Sequence, residues 1–250
     1  MGRCPATSMS ESNMPLSTSD NVEQNEGLLM LLVSWVMQMA QSYQRRKSDP
    51  EMPYAVHPQM VAINTLSFLD KDATIRARIA AVFHDVIEDC EVSDLQRVVE
   101  QWNKHVPHFG VIAWSFDSVA EALEVMLILC LDAAGFPTTE APLIIRAVED
   151  LSVPKELPGV YEAGDKEAKA AWEASIDRMR NMCDEALMVT WADKTYNLRS
   201  PLPDRDPIKE RAKYGRLLAM ITAILMLRGY QVPSLPEDIR EAIATYNNRE

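Results

Sequence analysis

The sequence predicts an all-α fold. This prediction rests on the amino-acid composition and on the spacing of the apolar residues. Only 8 of the 250 residues are glycine, whereas Ala, Leu, Met and Glu, which favour helices, are frequent. Apolar residues recur at intervals of three and four, the spacing of one face of an α-helix. No run of β-branched residues alternates with polar residues as a half-buried strand would. We therefore expect one helical domain around a single hydrophobic core.

The first expected helices hold the most strongly apolar sequence. A helix over 21–47 contains the run GLLMLLVSWVMQMA and ends before SDPEMPY, where prolines interrupt the spacing. A second helix over 57–69 and a third over 72–90 follow, each with apolar residues three and four apart. A fourth over 92–103 ends before HVPHFG, where Pro and Gly again break the pattern.

The later helices are delimited in the same way. Their breaks are AAGFPTTEAP, LSVPKELPG, SPLPDRDP and VPSLPED, all rich in proline. Between and after these breaks the apolar spacing predicts helices over 117–134, 139–151, 165–190, 191–199, 205–229 and 236–248. Residues 1–20 are rich in Ser and Asn, so we expect a disordered segment before one domain over 21–250.

The charge balance limits the partners that we expect. The chain has 25 basic and 37 acidic residues, a net charge of −12, which argues against broad binding to nucleic acid or anionic membranes. The apolar run from Gly27 to Ala40 has about 14 residues, fewer than the roughly 20 that a transmembrane helix needs. A phosphate-bearing ligand would therefore need a metal ion or a local basic patch.

The cysteines indicate the redox environment. Cys4, Cys90, Cys130 and Cys183 are widely spaced and form no CxxC pair. This spacing is typical of neither a zinc ribbon nor a disulfide framework. We therefore expect free thiols and a cytoplasmic location.

Four ionisable residues lie close together in AAVFHDVIEDC, residues 80–90, and no Lys or Arg accompanies them. At about 100° per residue, His84, Asp85 and Glu88 fall on one face of the expected helix, and Asp89 lies four residues after Asp85. The apolar residues gather on the opposite face. Because three neighbouring carboxylates repel one another, the pattern predicts a bound cation as their partner.

Two other segments offer further donors for a metal ion. A His-Asp pair alone is too small a ligand set for a mononuclear site, which usually has three or four protein ligands. PYAVHP and MVTWADKTYNLRS each contribute one residue to a possible set of His57, His84, Asp85 and Asp193. Two imidazoles and two carboxylates suit Mn²⁺, Fe²⁺ or Zn²⁺ better than Ca²⁺ or a structural zinc, which prefer oxygen and thiolate ligands respectively.

Three motifs give the chain a resemblance to a known family. PY..HP, HDVIED and ADK.YNLR occur in this order, within QRRKSDPEMPYAVHPQMVA, AAVFHDVIEDCEVS and ALMVTWADKTYNLRS, and VEDLSVPKEL precedes the last of them. The chain resembles the HD-domain superfamily of metal-dependent phosphohydrolases. Within it, the chain is most similar to the hydrolase domain of the RelA/SpoT alarmone enzymes, especially the small stand-alone hydrolases. The similarity covers roughly residues 30–90 and 143–225.

The resemblance implies a role for each matching residue. The metal ligands would be His57, His84, Asp85 and Asp193, with Mn²⁺ as the usual ion and Zn²⁺ or Fe²⁺ as alternatives. The pair that positions or activates the attacking water would be Glu88 and Asp89. The nucleotide would be bound by Arg46, Lys47, Asn197 and Arg199.

The implied activity is hydrolysis at the ribose 3′ side of ppGpp and pppGpp, the alarmones of the stringent response, with release of pyrophosphate. The implied fold is a single HD-domain helical bundle, and a homo-oligomer is compatible with it. No motif of the synthetase domain found in bifunctional relatives is present. We therefore expect hydrolysis without synthesis.

The chain also differs from the family pattern. Asp85 and Asp193 are 108 residues apart, and the excess over the family falls at about 102–141, where an inserted helix would cover the pocket or form a dimer face. Gln41 stands where the family commonly has His. Two alternatives stay open: an HD phosphohydrolase acting on another nucleotide (ppApp, a dNTP or a 3′- or 2′-phosphorylated cofactor), and a nucleotide-binding regulator without activity.

Overall fold

The all-α prediction is confirmed by the computed structural model, which is helical apart from one short ribbon in the part of the chain that it describes. That part comprises residues 20–41, 45–46, 49–53, 55–65, 70–105, 115–152, 166–199 and 207–232, with the single positions 237, 240, 241 and 244.

In the first half of the chain, the described residues form five helices and the ribbon. In chain order these elements are α1 (Asp20–Ala40), β1 (Arg45–Arg46), β2 (Asp49–Pro53), α2 (Val56–Asn64), α3 (Lys71–Phe83), α4 (Val86–Asp89) and α5 (Val92–His105). The antiparallel ribbon pairs Arg45 with Pro53 and Arg46 with Asp49.

The described residues of the second half form five α-helices. They are α6 (Val119–Ala133), α7 (Ala141–Leu151), α8 (Lys166–Asn181), α9 (Asp184–Arg199) and α10 (Pro207–Leu227), and a 3-10 turn over Thr138–Glu140 leads into α7.

Several helix ends are defined by their own sequence. The Asp70 carboxylate accepts a hydrogen bond from the Ala73 N–H at 2.8 Å, and the Ser118 hydroxyl accepts one from the Glu121 N–H at 3.1 Å. These are N-cap bonds, which satisfy N–H groups that have no partner within the helix. Gly135 (φ 74°) and Gly229 (φ 93°) follow the C-termini of α6 and α10. A residue with left-handed backbone closes the last turn of a helix, and glycine adopts that conformation most readily.

α9 lies at the centre of the fold and packs against α2, α3, α7 and α10. On the other side of α3, α1 packs against α3, α5 and α6. The two sides share one continuous core that includes Phe83, Leu127 and Leu187. Burial of these apolar side chains is the main source of stability, and it fixes α2, α3 and α9 against one another.

Several arginines in the described residues join helices that are distant in sequence, and Arg76, Arg178 and Arg228 each do so through more than one bond. Arg76 on α3 donates to Glu140 and to Glu185, both at 2.8 Å. The other two cap the carboxyl ends of helices. Arg178 donates to the carbonyls at the end of α7, and Arg228 donates to the Arg180 and Met182 carbonyls at the end of α8. Cations at these ends satisfy carbonyls that lack intrahelical partners and interact favourably with the helix dipole.

Across the described ranges, the helices are all too short or too polar to cross a lipid bilayer. Cys90, Cys130 and Cys183 are free thiols, as the cysteine spacing predicts. Burial raises the pKa of each of these thiols to about 12.

Three predicted helices in the first half are wrong in part. The helix expected over 21–47 ends at Ala40, because the chain after it forms the ribbon, in which Pro50 and Pro53 disfavour helical backbone at the residues before them. The helix expected over 57–69 ends at Asn64. The third, over 72–90, is interrupted at His84–Asp85, where Asp85 adopts φ −103° and ψ −2°.

The predicted boundary between 165–190 and 191–199 is also wrong. The break falls at Met182–Cys183 instead. The Cys183 N–H donates to the Asp150 carboxylate at 2.7 Å, and the Met182 carbonyl accepts from Arg228 at 2.9 Å. These tertiary bonds replace helical ones, and a pattern of apolar residues does not reveal them. The segment predicted to be disordered, except Asp20, lies outside the described residues, as does most of 236–248.

The segment that we expect as an insertion, about 102–141, contributes α6 to the core. Leu123, Met126, Leu127 and Cys130 are fully buried, and α6 packs against α1, α5 and α7. The buried face of α6 is therefore neither a lid nor a dimer face, because the rest of the same domain already covers it.

Candidate metal centre

The predicted metal ligands come from three parts of the fold. His57 is the second residue of α2, His84 and Asp85 form the turn between α3 and α4, and Asp193 lies in α9. His57, His84 and Asp193 are each 7% exposed. Because α2, α3 and α9 pack together, residues far apart in sequence meet at one buried point.

Three of these residues form a compact group of potential ligands. One ligand atom from each of His57, His84 and Asp85 lies within 4.8 Å of the other two. The His57 and His84 rings meet edge to face with their centroids 5.2 Å apart. Asp193 joins the group through His57, whose Nε2 lies 3.2 Å from the Asp193 Oδ1.

The hydrogen bonds of His84 determine which ring nitrogen faces the group. His84 Nδ1 lies 2.8 Å from the Ala81 carbonyl oxygen, so Nδ1 carries the proton and donates it. Burial lowers the pKa of His84 to about 4, which leaves Nε2 with a free lone pair at neutral pH. A backbone carbonyl that fixes the tautomer in this way is typical of metal-binding histidines.

The other contact of His84 Nε2 is the feature that points most directly to a cation. This nitrogen lies 3.0 Å from the Asp85 Oδ2. A neutral imidazole nitrogen and an ionised carboxylate oxygen are both acceptors, so they approach this closely only with a proton or a metal ion between them. Burial, followed by the negative charges of Asp193 and Asp89, raises the pKa of Asp85 well above its ordinary value, and a divalent cation would favour the ionised carboxylate.

Asp193 is held as an ionised carboxylate by its neighbours. Burial alone would raise its pKa, but the Lys194 ammonium and the hydrogen bond from His57 outweigh that effect and lower it. Lys194 Nζ lies 2.7 Å from the Asp193 Oδ2, and the Asn197 amide donates to Oδ1 at 2.8 Å. Asp193 is therefore both charged and oriented before any ion binds.

The donor set fits a divalent transition metal. Two imidazoles and two carboxylates are ligands that Mn²⁺, Fe²⁺ and Zn²⁺ accept, and His84 and Asp193 have the hydrogen-bonded outer partners typical of metal ligands. The buried excess of carboxylate charge around Asp85 is also what a cation would offset. The residues of this site therefore satisfy the chemical requirements of the predicted metal.

The predicted catalytic pair lies on the next turn of the chain. Glu88 and Asp89 belong to α4, and Glu88 is half-buried whereas Asp89 is exposed. Both carboxylates lie close enough to Asp85 to contribute to its raised pKa. The structure thus brings the pair beside the ligand group.

The predicted nucleotide-binding residues have different outcomes. Asn197 lies at the centre and donates to Asp193. Arg46 belongs to β1, but its side chain, Lys47 and the Arg199 side chain lie outside the described residues. Gln41 is 2% exposed, and its amide forms no hydrogen bond with any residue in the described ranges.

Sequence reasoning missed two residues that contact the predicted ligands. The Lys194 ammonium contacts Asp193 and lies 5.8 Å from the centroid of the Tyr214 ring. The Tyr196 ring packs 5.2 Å from the His57 ring. Both residues belong to ADK.YNLR, so the motif contains them, but their orientation depends on α2 and α10, which the motif does not specify.

No protein-family model matches the chain, and a search of the curated proteins finds no match. The similarity to HD-domain hydrolases is therefore carried by the three motifs alone.

Proposed function

We propose that this protein is a metal-dependent phosphohydrolase that removes the 3′-pyrophosphate from alarmones of the ppGpp type. One observation carries the proposal: PY..HP, HDVIED and ADK.YNLR, which are distant in sequence, each contribute side chains to a single buried site. If the three short motifs resembled the family by chance, their residues would not be expected to lie together in the folded chain.

His57, His84, Asp85 and Asp193 would hold the metal, with Mn²⁺ as the ion that the resemblance favours. When bound, such an ion lowers the pKa of a water molecule and neutralises charge on a phosphoryl oxygen. The Ala81 carbonyl keeps His84 Nε2 available as a ligand, and Asn197 and Lys194 keep the Asp193 carboxylate in place.

Glu88 and Asp89 would take the proton from the attacking water. A carboxylate beside the ligand group can act as a general base because it lies within reach of the reacting water. Glu88 is the better placed of the two, since it is half-buried whereas Asp89 is exposed. As the water oxygen bonds to phosphorus, the bond from phosphorus to the ribose 3′ oxygen breaks and that oxygen takes up a proton, which releases pyrophosphate and a nucleoside 5′-diphosphate (GDP from ppGpp) with a free 3′ hydroxyl.

Positive charge for the substrate phosphates is present at the site in spite of the acidic chain. Lys194 places an ammonium beside Asp193, and the resemblance adds Arg46, Lys47 and Arg199. The free thiols are compatible with the cytoplasm, which we propose as the location of the enzyme.

The test is an assay with Mn²⁺ in which ppGpp, pppGpp, ppApp, dNTPs and NADPH are offered in parallel and the products are separated by ion-exchange chromatography. We expect GDP and pyrophosphate from ppGpp, and no turnover when EDTA is present. Turnover of another nucleotide alone would replace the alarmone assignment with a different phosphohydrolase. Absence of turnover on every substrate, with metal bound, would indicate a nucleotide-binding regulator.

A further inference from the structure

Lys194 directly follows the candidate metal ligand Asp193 in α9, yet its ammonium bonds to that carboxylate. Consecutive residues of an α-helix point about 100° apart, so neighbours in sequence do not normally face each other. The Lys194 side chain nevertheless turns back, and its Nζ lies 2.7 Å from the Asp193 Oδ2. Within the described ranges Lys194 forms no other hydrogen bond, so this contact determines where its ammonium lies.

A second contact holds the ammonium in the same place. Lys194 Nζ lies 5.8 Å from the centroid of the Tyr214 ring, within the range of a cation–π interaction. Tyr214 belongs to α10, which packs against α9, so the position of the ring is set by the core. The Lys194 ammonium is therefore held between a carboxylate on one side and an aromatic ring from another helix.

The two oxygens of the Asp193 carboxylate have separate partners. Oδ1 lies 3.2 Å from His57 Nε2 and accepts a hydrogen bond from the Asn197 amide at 2.8 Å. Oδ2 accepts from Lys194. Because His57 is one of the three grouped ligands, Oδ1 is the oxygen that faces the candidate metal centre, whereas Oδ2 is engaged by a cation of the protein itself.

This division bears on how Asp193 can bind an ion. A carboxylate binds a metal through one oxygen or through both. Binding through both would turn Oδ2 toward the ion and bring the Lys194 ammonium close to a divalent cation. The repulsion between the two positive charges opposes that arrangement, and the hydrogen bond to Oδ2 would have to be given up.

We propose that Lys194 is a positioning residue that reserves the Asp193 Oδ2, so that Asp193 offers the metal ion Oδ1 alone. This inference rests on the proposed function, since it needs an ion at the site. Four ligands with one donor atom each leave positions of an octahedral ion open, and a catalytic metal site keeps such a position for water or substrate. Lys194, acting through Asp193, prevents a second carboxylate oxygen from taking one of these positions.

The structural test compares crystals of the wild type and of Lys194→Met, both grown with MnCl₂. Methionine is an unbranched side chain of similar length without the charge or the donors. We expect manganese bonded to Oδ1 alone in the wild type and to both oxygens in the variant. Both oxygens bonded in the wild type, or one oxygen bonded in both proteins, overturns the inference. If Lys194→Met does not fold, Lys194→Leu takes its place.

A measurement in solution counts the water on the ion without turnover. The relaxation rate of water protons reports how many water molecules are bound to Mn²⁺. We expect about one water molecule fewer in Lys194→Met than in the wild type, because the second oxygen takes its position. The control is Lys104→Met, at an exposed position of α5, which should keep the wild-type number. Equal numbers in all three proteins, or the same loss in the control, overturn the inference.

The inference and the proposed function can fail separately. Manganese bonded as expected in both crystals, in a protein that releases no pyrophosphate from ppGpp, overturns the proposed function alone. Hydrolysis of ppGpp by a wild type in which both Asp193 oxygens bind manganese overturns the inference alone.

Discussion

Asp85 and Asp193 belong to one site but have opposite electrostatic environments. Asp193 receives a hydrogen bond from Asn197 and contacts the Lys194 ammonium, so its pKa is lowered. Asp85 is partly buried and lies near the negative charges of Asp193, Asp89 and Glu88, so its pKa is raised. In the metal-free protein Asp193 is thus a ready ligand, whereas at Asp85 the metal competes more strongly with a proton.

The substitution Asp193→Asn tests the ligand set. It keeps the shape of the side chain but removes the charge that attracts the cation. We expect Mn²⁺ affinity, measured by isothermal titration calorimetry, to fall at least about 100-fold, since loss of an outer partner alone costs about 10- to 100-fold. The control is Asp177→Asn, at an exposed position on α8 whose ion pair is with Arg180. Equal Mn²⁺ affinity in the two variants would remove Asp193 from the set.

The substitution Glu88→Gln separates catalysis from metal binding. The amide cannot accept a proton from water, and general-base catalysis contributes about 100-fold or more. We therefore expect kcat for ppGpp to fall by at least that factor while Mn²⁺ affinity stays within about twofold. Full activity of this variant would show that Glu88 is not the base.

His84 predicts how the stability of the metal-free protein depends on pH. Its pKa is about 4 in the folded state against 6.5 for the ordinary side chain. Between these values the unfolded chain binds a proton that the folded chain does not, so the free energy of unfolding falls as pH drops from 6.5 to 4. The loss is roughly 3 kcal/mol.

The measurement for His84 is urea unfolding in EDTA between pH 4.5 and 7.5, comparing the wild type with His84→Gln. Taking the difference between the two proteins cancels the contributions of other groups. We expect the wild type to lose stability relative to the variant as pH falls. Parallel curves for the two proteins would contradict a depressed pKa at His84.

At the residue scale, spacing alone places His84, Asp85 and Glu88 close together, and the structure agrees. The partners that orient them were not predictable. The Ala81 carbonyl that orients His84 leaves no trace in the pattern of side chains. Sequence identifies groups that need a partner, but packing determines which partner they have.

At the element scale, the turn with His84 and Asp85 directly follows α3. The first residues of α3 are stabilised by an N-cap. The Asp70 carboxylate accepts from the Ala73 N–H, so Asp70→Ala leaves that donor without its partner. We expect a loss of about 1 kcal/mol in the free energy of unfolding, measured by urea denaturation. Asp72→Ala, in the same first turn, removes only a favourable charge and should cost a few tenths of a kcal/mol. Equal losses would show that Asp70 acts by charge alone.

Helix existence was predictable, whereas several boundaries were not. Apolar spacing and prolines identify α5, α6 and α7 closely. The break at Met182–Cys183 was missed because Asp150 and Arg228, from other helices, bind its backbone groups. The turn at His84–Asp85 was missed for a related reason: a helical hydrogen bond from Asp89 to Asp85 resumes at once, so the sequence looks continuous.

At the scale of the whole molecule, the site depends on α9 being packed against α2, α3, α7 and α10 at once. The ion pairs of Arg76 with Glu140 and Glu185 join α3 to the turn before α7 and to α9. Sequence predicts one all-α domain, and the structure agrees on the fold class. It did not predict that α6 belongs to the core, since a family pattern shows added length but not where the added helix packs.

The central claim is that residues from three separate segments bind one divalent cation. Its most direct test is a crystal of the protein grown with MnCl₂ and measured at the manganese absorption edge. The account predicts one strong anomalous peak bonded to His57, His84 Nε2, Asp85 and Asp193, and no peak there for Asp193→Asn. A wild-type crystal without a peak among these residues, or with manganese only elsewhere, would contradict the account.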